Sequence, residues 1–591
     1  MMPVVNPFLE TKPVVPAILG ATLAAFLILV VGLAILFSAD APYVVAANGV
    51  VPLDIEMIGR IALEFLRGDT CAAGLTKIIG LDCRFQYLDR VFQAIAGSRP
   101  ASIHVAALSM AVAVSWGTTA HMMYAAASKR ERFVTLRGWR LLFDGEGRSS
   151  LRAAIARTGR LLRRGLWVLP HVQLTSECEG YNILALGTQG SAKTSTLRGL
   201  VEQCEARGDQ IFIHEVKGDF TAGMPINPFI LVAPHDRRSA AYDISRDIRN
   251  EKHAREFAAH AVAKSDHDSM WGDAARAAWA DLVMTLHAEN PGDWSWDDLA
   301  SVLLSPGETI KATLDAAGKN SASRLIFGSD NPEDNRTTMS ILVTMWVAAL
   351  MTVLPLAEAW RDVPVTRRFS LRQWLDEPTA YPRVIVLQKS SEYPELSGAI
   401  GGFLIDRLIA LALRPGRQRN PTRKLVFCLD ELPECGNGHI QGLPRLLNTG
   451  REFGIVTLVG IQEIAHLVEI YGENLANVLL GRFRIKLIHQ LNAGDSADRI
   501  SALLGERRIE YPGPRVRDQV TGRWVRETVR ETALVCPADR LESDLGVTKK
   551  DRHKTARMLV MGLGNPAIVD VPLTVWRDRR PGHVPALWTG E

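Results

Sequence analysis

Two stretches of the chain are apolar and almost free of ionisable groups over a length that no strand needs. From Val14 to Ala39 there is no charge between Lys12 and Asp40, and from Ala101 to Ser128 only His104 and His121 can ionise. A helix of about 20 apolar residues crosses a hydrocarbon core of about 30 Å, so both stretches predict transmembrane helices. The first is longer than the roughly 7–15 apolar residues of a signal peptide, and little positive charge precedes it. Shorter apolar runs at Tyr181–Leu186, Gln210–His214, Val384–Leu387, Leu425–Leu429, Ile455–Ile461 and Arg484–Ile488 alternate with helical patterns. That alternation predicts an α/β fold with a mostly parallel sheet covered on both faces. Between them, apolar positions at Phe257, Ala261, Trp271, Ala275, Trp279, Val283 and Leu286 recur at helical spacing. The expected organisation is a membrane domain over 1–128, a nucleotide-binding domain from 129–246 and 358–591, and an all-α insert over 247–357.

Charge orients the membrane part. Lys129, Arg130, Arg132, Arg137, Arg140, Arg148, Arg152, Arg157, Arg160, Arg163 and Arg164 follow the second span, against Glu131, Asp144 and Glu146. Positive residues stay inside, so both termini and everything after Ser128 are expected in the cytoplasm, with the loop 40–100 on the far side. Cys71 and Cys83 fall in that loop, where an oxidising compartment permits a disulfide; two unpaired thiols is the other reading. Net charge is only +4, and its basic excess is explained by orientation, so composition gives no independent support for nucleic-acid binding. A third apolar run, Met339–Leu356, reads as a buried core helix, because a single crossing there separates the two halves of the chemistry described next.

The strand at Tyr181–Leu186 delivers Gly187 to a loop reading Gly187-Thr188-Gln189-Gly190-Ser191-Ala192-Lys193-Thr194-Ser195. This is the pattern of a phosphate-binding P-loop. Backbone N–H groups wrap a polyphosphate, Lys193 reaches its β and γ oxygens, and the Thr194 hydroxyl ligates Mg²⁺. Such a loop implies ATP or GTP. Ala192 stands where the pattern has glycine, so its β-carbon either crowds the phosphates or requires an unusual backbone angle. The partner motif is Lys424-Leu-Val-Phe-Cys-Leu-Asp430-Glu431, an apolar strand closing on two carboxylates. In a P-loop ATPase, Asp430 holds the Mg²⁺ shell and Glu431 deprotonates the attacking water. An exposed acidic turn after a strand is the bland alternative.

Two spans, a P-loop, a helical insert, Leu429-Asp-Glu-Leu-Pro-Glu-Cys-Gly436, Leu446-Leu-Asn-Thr-Gly-Arg451-Glu-Phe-Gly454 and Gly460-Ile-Gln462-Glu come in an order that resembles the coupling proteins of bacterial type IV secretion systems. Phe212-Ile-His-Glu-Val-Lys-Gly-Asp219 resembles the family's second strand, with Glu215-Val216 in place of Asp-Pro. The resemblance implies a RecA-like ATPase domain and assembly as a homo-oligomer, a hexameric ring at the inner membrane. It further implies hydrolysis of ATP with Mg²⁺ to bring a relaxase and its single-stranded DNA, or protein effectors, to the channel's inner-membrane subunits. By the same resemblance Arg451 is an arginine finger acting on a neighbour's γ-phosphate, and Gln462 a sensor of nucleotide state. Arg482 and Arg484 are alternative fingers; a cation at a helix C-terminus and a buried amide are the structural alternatives for Arg451 and Gln462. Rival functions are a septal-type translocase of double-stranded DNA and a non-hydrolysing receptor in which Ala192 marks a degraded site.

Overall fold

A computed structural model describes residues 43–46, 49–52, part of 110–121, 133–158, 164–262, 269–327, 332–417, 423–517, 524–550 and 553–590. The expected span 14–39, most of 101–128, and Cys71 and Cys83 lie outside the described residues. The chain forms two compact units, residues 1–134 with 509–530 and residues 135–508 with 531–591. In the first, Tyr43–Ala46 pairs antiparallel with Gly49–Pro52, and Arg530 Nε donates to Glu510 at 2.7 Å.

The second unit is built on an eleven-stranded sheet. Its strands are β1 (Leu142–Phe143), β2 (Ile183–Leu186), β3 (Gln210–Glu215), β4 (Ile230–Val232), β5 (Val384–Gln388), β6 (Leu425–Leu429), β7 (Ile455–Ile461), β8 (Ile485–Ile488), β9 (Gly546–Lys550), β10 (His553–Met561) and β11 (Ala567–Pro572). The order is β1-β11-β10-β8-β2-β7-β6-β3-β5-β4, with β9 on β10. From β8 to β4 every pair is parallel; β10 runs antiparallel to β8 and to β11. Every residue of β2, β6 and β7 is buried, as expected where helices cover both faces and strands read as continuous apolar runs. The six apolar runs of the sequence are β2, β3 and β5 to β8. The strands that pattern alone did not single out are short, as β1 and β4 are, or belong to the antiparallel margin.

Seven helices follow one another between 251 and 360 among the described residues: α2 (Glu251–Ala261), α3 (Ser269–Glu289), α4 (Trp296–Leu303), α5 (Gly307–Ala316), α6 (Asn320–Phe327), α7 (Pro332–Met351) and α8 (Val353–Trp360); α1 (Lys193–Ala206) precedes them. They share one apolar core with the helix that covers the sheet, α9 (Pro394–Ala412), which is buried almost all round. Phe257 on α2 is the joint. Its ring lies 5.1 Å from Phe403 on α9, 5.8 Å from Trp296 and 6.0 Å from Trp279, all tilted towards edge-to-face geometry. Trp271 is partly buried against the same core.

The expectation of a buried helix at Met339–Leu356 holds for one face only. Arg336–Trp360 is apolar and long enough to cross a membrane, the one such stretch among the described residues. Ile341, Leu342, Met345 and Ala349 are buried, whereas Met339, Val343, Val347, Leu350 and Met351 stand about half exposed. Apolar content fixes neither face, because the spacing of four and three residues puts each set on its own side of the helix. Thr194 and Asp430, which flank the run in sequence, are hydrogen-bonded, so the run does not make a single crossing.

Replacing Phe257 by Ala removes the ring that joins α2 to α9 and leaves a cavity among aromatic neighbours. The expected loss is about 3–5 kcal/mol of stability, read as a lower denaturation midpoint by tryptophan fluorescence. A loss within error would show that the helical segment does not rest on this contact.

Candidate nucleotide site

β2 ends at Leu186, and the chain turns through Gly187–Ala192 into α1. The turn leaves no room for a side chain at Gly187, where a β-carbon would meet His489 Cβ at 2.6 Å and Ser191 Oγ at 2.8 Å. Gly190 has φ +78°, and Ala192 has φ +77° and ψ 22°. The left-handed angle that glycine adopts freely is thus carried by an alanine, at a cost of about 1–2 kcal/mol. The departure noted in the sequence is therefore a matter of backbone strain.

The Lys193 ammonium is folded back on the loop, donating to the carbonyls of Gly187 at 2.6 Å and Thr188 at 3.0 Å. Burial holds its pKa below the ordinary lysine value, opposed by the Glu431 and Asp430 carboxylates. Thr194 Oγ1 donates to Asp430 Oδ1 at 3.0 Å, with Oδ2 at 3.1 Å. Asp430 follows β6 directly, and β7 lies between β6 and β2, so this contact bridges strands that are not neighbours. A β-carbon on Gly460, in β7, would sit 1.9 Å from the Asp430 carbonyl oxygen; only glycine permits the approach.

Glu431 accepts from the Gln462 side-chain amide at 2.8 Å and from the Gln462 backbone N–H at 3.3 Å. Burial raises the pKa of both Asp430 and Glu431, opposed by their hydrogen bonds and by Lys193. A cavity of 480 Å³ opens on these groups. Gly187 and Thr188 stand at the end of β2, and Gln189, Gly190, Ala192, Lys193, Thr194 and Ser195 line the cavity with Asp430, Glu431 and Gln462. Ser191 is buried behind the loop, its hydroxyl donating to Thr188 O at 2.7 Å.

Sequence reasoning missed the far wall. Arg198, Lys217, Asp219, Glu434, Lys554 and Leu573–Val575 are also among the residues that line the cavity. The Ser195 hydroxyl donates to Thr574 O at 2.8 Å, and the Arg198 guanidinium lies 5.5 Å from the Phe220 ring and 5.4 Å from that of Trp576. Arg198 was legible in principle, one helical turn after Thr194 on α1. The C-terminal strap was not, since only the sheet order brings it there.

Arg451 is not in this cavity. It precedes β7 at the opposite edge of the sheet, where its guanidinium stands 4.8 Å from the Tyr181 ring; Arg484 stands over the same ring at 4.0 Å. A strand the length of β7 spans roughly 20 Å, which sets Arg451 well away from this chain's own P-loop. A larger cavity of 600 Å³ is lined by Trp294, Trp296 and Trp360. Those indoles donate to His287 Nδ1, Tyr242 O and Ser239 Oγ, and Arg361 beside them pairs with Asp297.

The family model described as type IV secretion-system coupling protein DNA-binding domain matches residues 167–518. Coupling protein TraD of Escherichia coli (strain K12) is 24% identical over 362 residues, covering 58% of this chain and 47% of the relative. The chain thus spans about half the length of that curated relative. Among solved structures, plasmid coupling protein TrwB in complex with ADP and Mg²⁺ superposes with a TM-score of 0.58 at 20% identity, over 76% of this chain and 96% of that one. TrwB with the non-hydrolysable analogue ADPNP gives 0.58 at 20% identity, over 77% and 98%. At this identity the likeness is one of fold.

Ala192→Gly should release about 1 kcal/mol of strain, raising the unfolding midpoint without weakening nucleotide binding. Ala192→Val, which puts a branched side chain at the same angle, should lower it. Scanning calorimetry with a fluorescent-nucleotide titration reads both; a lower midpoint for Ala192→Gly would show that the loop is not strained at this residue.

Proposed function

The chain belongs to the type IV secretion-system coupling proteins, and we propose that it is the family's ATPase. In this reading it is a multi-pass protein of the bacterial inner membrane, in contact with lipid, with both termini cytoplasmic. A ring of copies, a hexamer, uses ATP hydrolysis to deliver relaxase-bound single-stranded DNA, or protein effectors, to the inner-membrane subunits of a secretion channel. The observation that carries the reading is the pairing, within one cavity, of Thr194 with Asp430 and of Glu431 with Gln462. TrwB, of like fold, is described in complex with ADP and Mg²⁺, which supports the same pair of ligands here.

Each group has a distinct task. The loop N–H groups and Lys193 take the phosphates, the ammonium exchanging its two carbonyl acceptors for phosphate oxygens. Thr194 and Asp430 would hold Mg²⁺, which when bound would supply positive charge against the phosphates. Glu431 accepts the proton of the attacking water, and the Gln462 amide fixes the carboxylate that does so. That hydrogen bond gives Gln462 a link between the reacting centre and the end of β7. Arg451, remote from its own site, acts on the site of a neighbouring copy, donating two bonds to the transferring phosphoryl group. Hydrolysis then depends on assembly.

Turnover by the full chain in detergent or nanodiscs, with and without single-stranded DNA across a salt series, tests this. Lys193→Ala should weaken ATP binding, Glu431→Gln should bind ATP with little turnover, and Arg451→Ala should bind ATP yet lose roughly 10³-fold in assembled turnover. DNA stimulation should fall steeply with salt. Equal rates in wild type and Glu431→Gln would favour the non-hydrolysing receptor; turnover indifferent to DNA would favour protein effectors as cargo.

A further inference from the structure

A single chain segment runs from Glu431 to Arg451, from the carboxylate at the cavity to the arginine at the other edge of the sheet. It passes through α10 (Leu443–Thr449) on the way. A group outside the segment pins it near its middle. Asp406, on α9 and 8% exposed, accepts from the backbone N–H of Gln441 at 3.1 Å and of Gly442 at 2.7 Å, the two residues that lead into α10. Asp406 Oδ2 also lies 2.8 Å from His260 Nε2, on α2 in the helical segment.

The surroundings are closed around this contact. A β-carbon on Gly402, one turn before Asp406, would come within 2.5 Å of His260 Nδ1 and 2.9 Å of the Gly436 Cα. Gly436, at φ +53°, belongs to the pinned segment. Nearer the cavity, Cys435 Sγ lies 3.2 Å from His214 Nδ1 and 3.5 Å from Glu431 O, so the front of the segment is fastened to β3. Three donors on one nearly buried carboxylate make a sharp constraint, because a donor that leaves is not readily replaced by water. A shift of α2 by an ångström or so, on the scale of hydrogen-bond geometry, breaks its tie to Asp406.

We infer that Asp406, held by His260, is a positioning residue that sets the Glu431–Arg451 segment and makes turnover at the P-loop depend on the helical segment. This rests on the ATPase reading above. Asp406 touches no reacting atom; it acts through α10 and the placement of Arg451 at its far end. The helical segment thereby holds a direct lever on the assembled site, through one imidazole.

The test uses the full chain in nanodiscs with ATP and three variants, Asp406→Asn, His260→Leu and His260→Gln. Amide hydrogen exchange over 440–450 should quicken by about tenfold in Asp406→Asn and His260→Leu, as for the loss of one hydrogen bond, and return towards wild type in His260→Gln, which keeps a donor. Assembled kcat should fall with the same ranking while the KM for ATP stays put. Asp406→Asn combined with Arg451→Ala should turn over no more slowly than Arg451→Ala alone, because both act at one step. Unchanged exchange overturns the pin whatever the turnover. Quickened exchange with undiminished kcat, or losses that multiply in the double variant, overturns its action through Arg451. A wild-type chain without turnover sinks the ATPase reading, and the exchange arm still decides the pin.

Discussion

The hydrogen bond between the Thr194 hydroxyl and the Asp430 carboxylate joins residues 236 positions apart and is the contact on which the site depends. It forms only if β7 slips between β2 and β6 and all three strands run in the same direction to the same edge. Parallel strands do this, because their evenly spaced bonds hold the C-terminal ends in register. Leu429 pairs with Val459, and Ile461 with Leu186, so Asp430 and Gly187 emerge at the same edge. Gly460 then allows the Asp430 backbone to lie across β7 with no side chain between. Remove any of these and the P-loop and the carboxylates are two unrelated motifs.

Burial sets the electrostatic state of that edge. It pulls the Lys193 pKa down and pushes those of Asp430 and Glu431 up, each against the attraction of the opposite charges. Glu215, at the end of β3 beside them, is pushed up to about 7 although it accepts from Phe220 N, Thr221 N and the Thr221 hydroxyl. A site in which charged groups are this poorly solvated gains most from a ligand that brings its own charge. Triphosphate with a divalent cation does so, and low local dielectric strengthens each new contact. The carbonyls that Lys193 occupies meanwhile keep its ammonium from standing bare.

The sheet separates two kinds of arginine. Arg198 is part of the cavity, its guanidinium beside the edge-to-face pair of Phe220 and Trp576, and the C-terminal strap that supplies Trp576 also accepts from Ser195. Arg451 and Arg484 instead crowd one tyrosine at the far edge, where a second copy of the chain would have to bring its own P-loop. In the ring proposed above, this division would place half of each site on each subunit. The helical segment adds a third party, since Phe257 ties it to α9 by apolar contact and His260 ties it to the same helix by a hydrogen bond.

What the sequence determined by itself was local: a Gly-rich loop after a strand, two acids closing another, six apolar runs that became strands, and an alanine where left-handed backbone was needed. Each follows from a pattern that a few consecutive residues carry, as apolar periodicity and backbone sterics do. Even the exposed half of α7 is implicit in the spacing of Met339, Val343 and Val347, although total hydrophobicity concealed it. The tertiary structure alone decided that Gln462 faces Glu431, that Arg451 faces away, that Leu573–Val575 wall the cavity, and that His260 reaches Asp406. Those pairings join residues 31 and 146 apart, or lie across a sheet whose order no segment encodes. Strand order is set by which buried surfaces fit together over the whole core, and that sum of weak, non-local contacts leaves no mark on any short stretch of sequence.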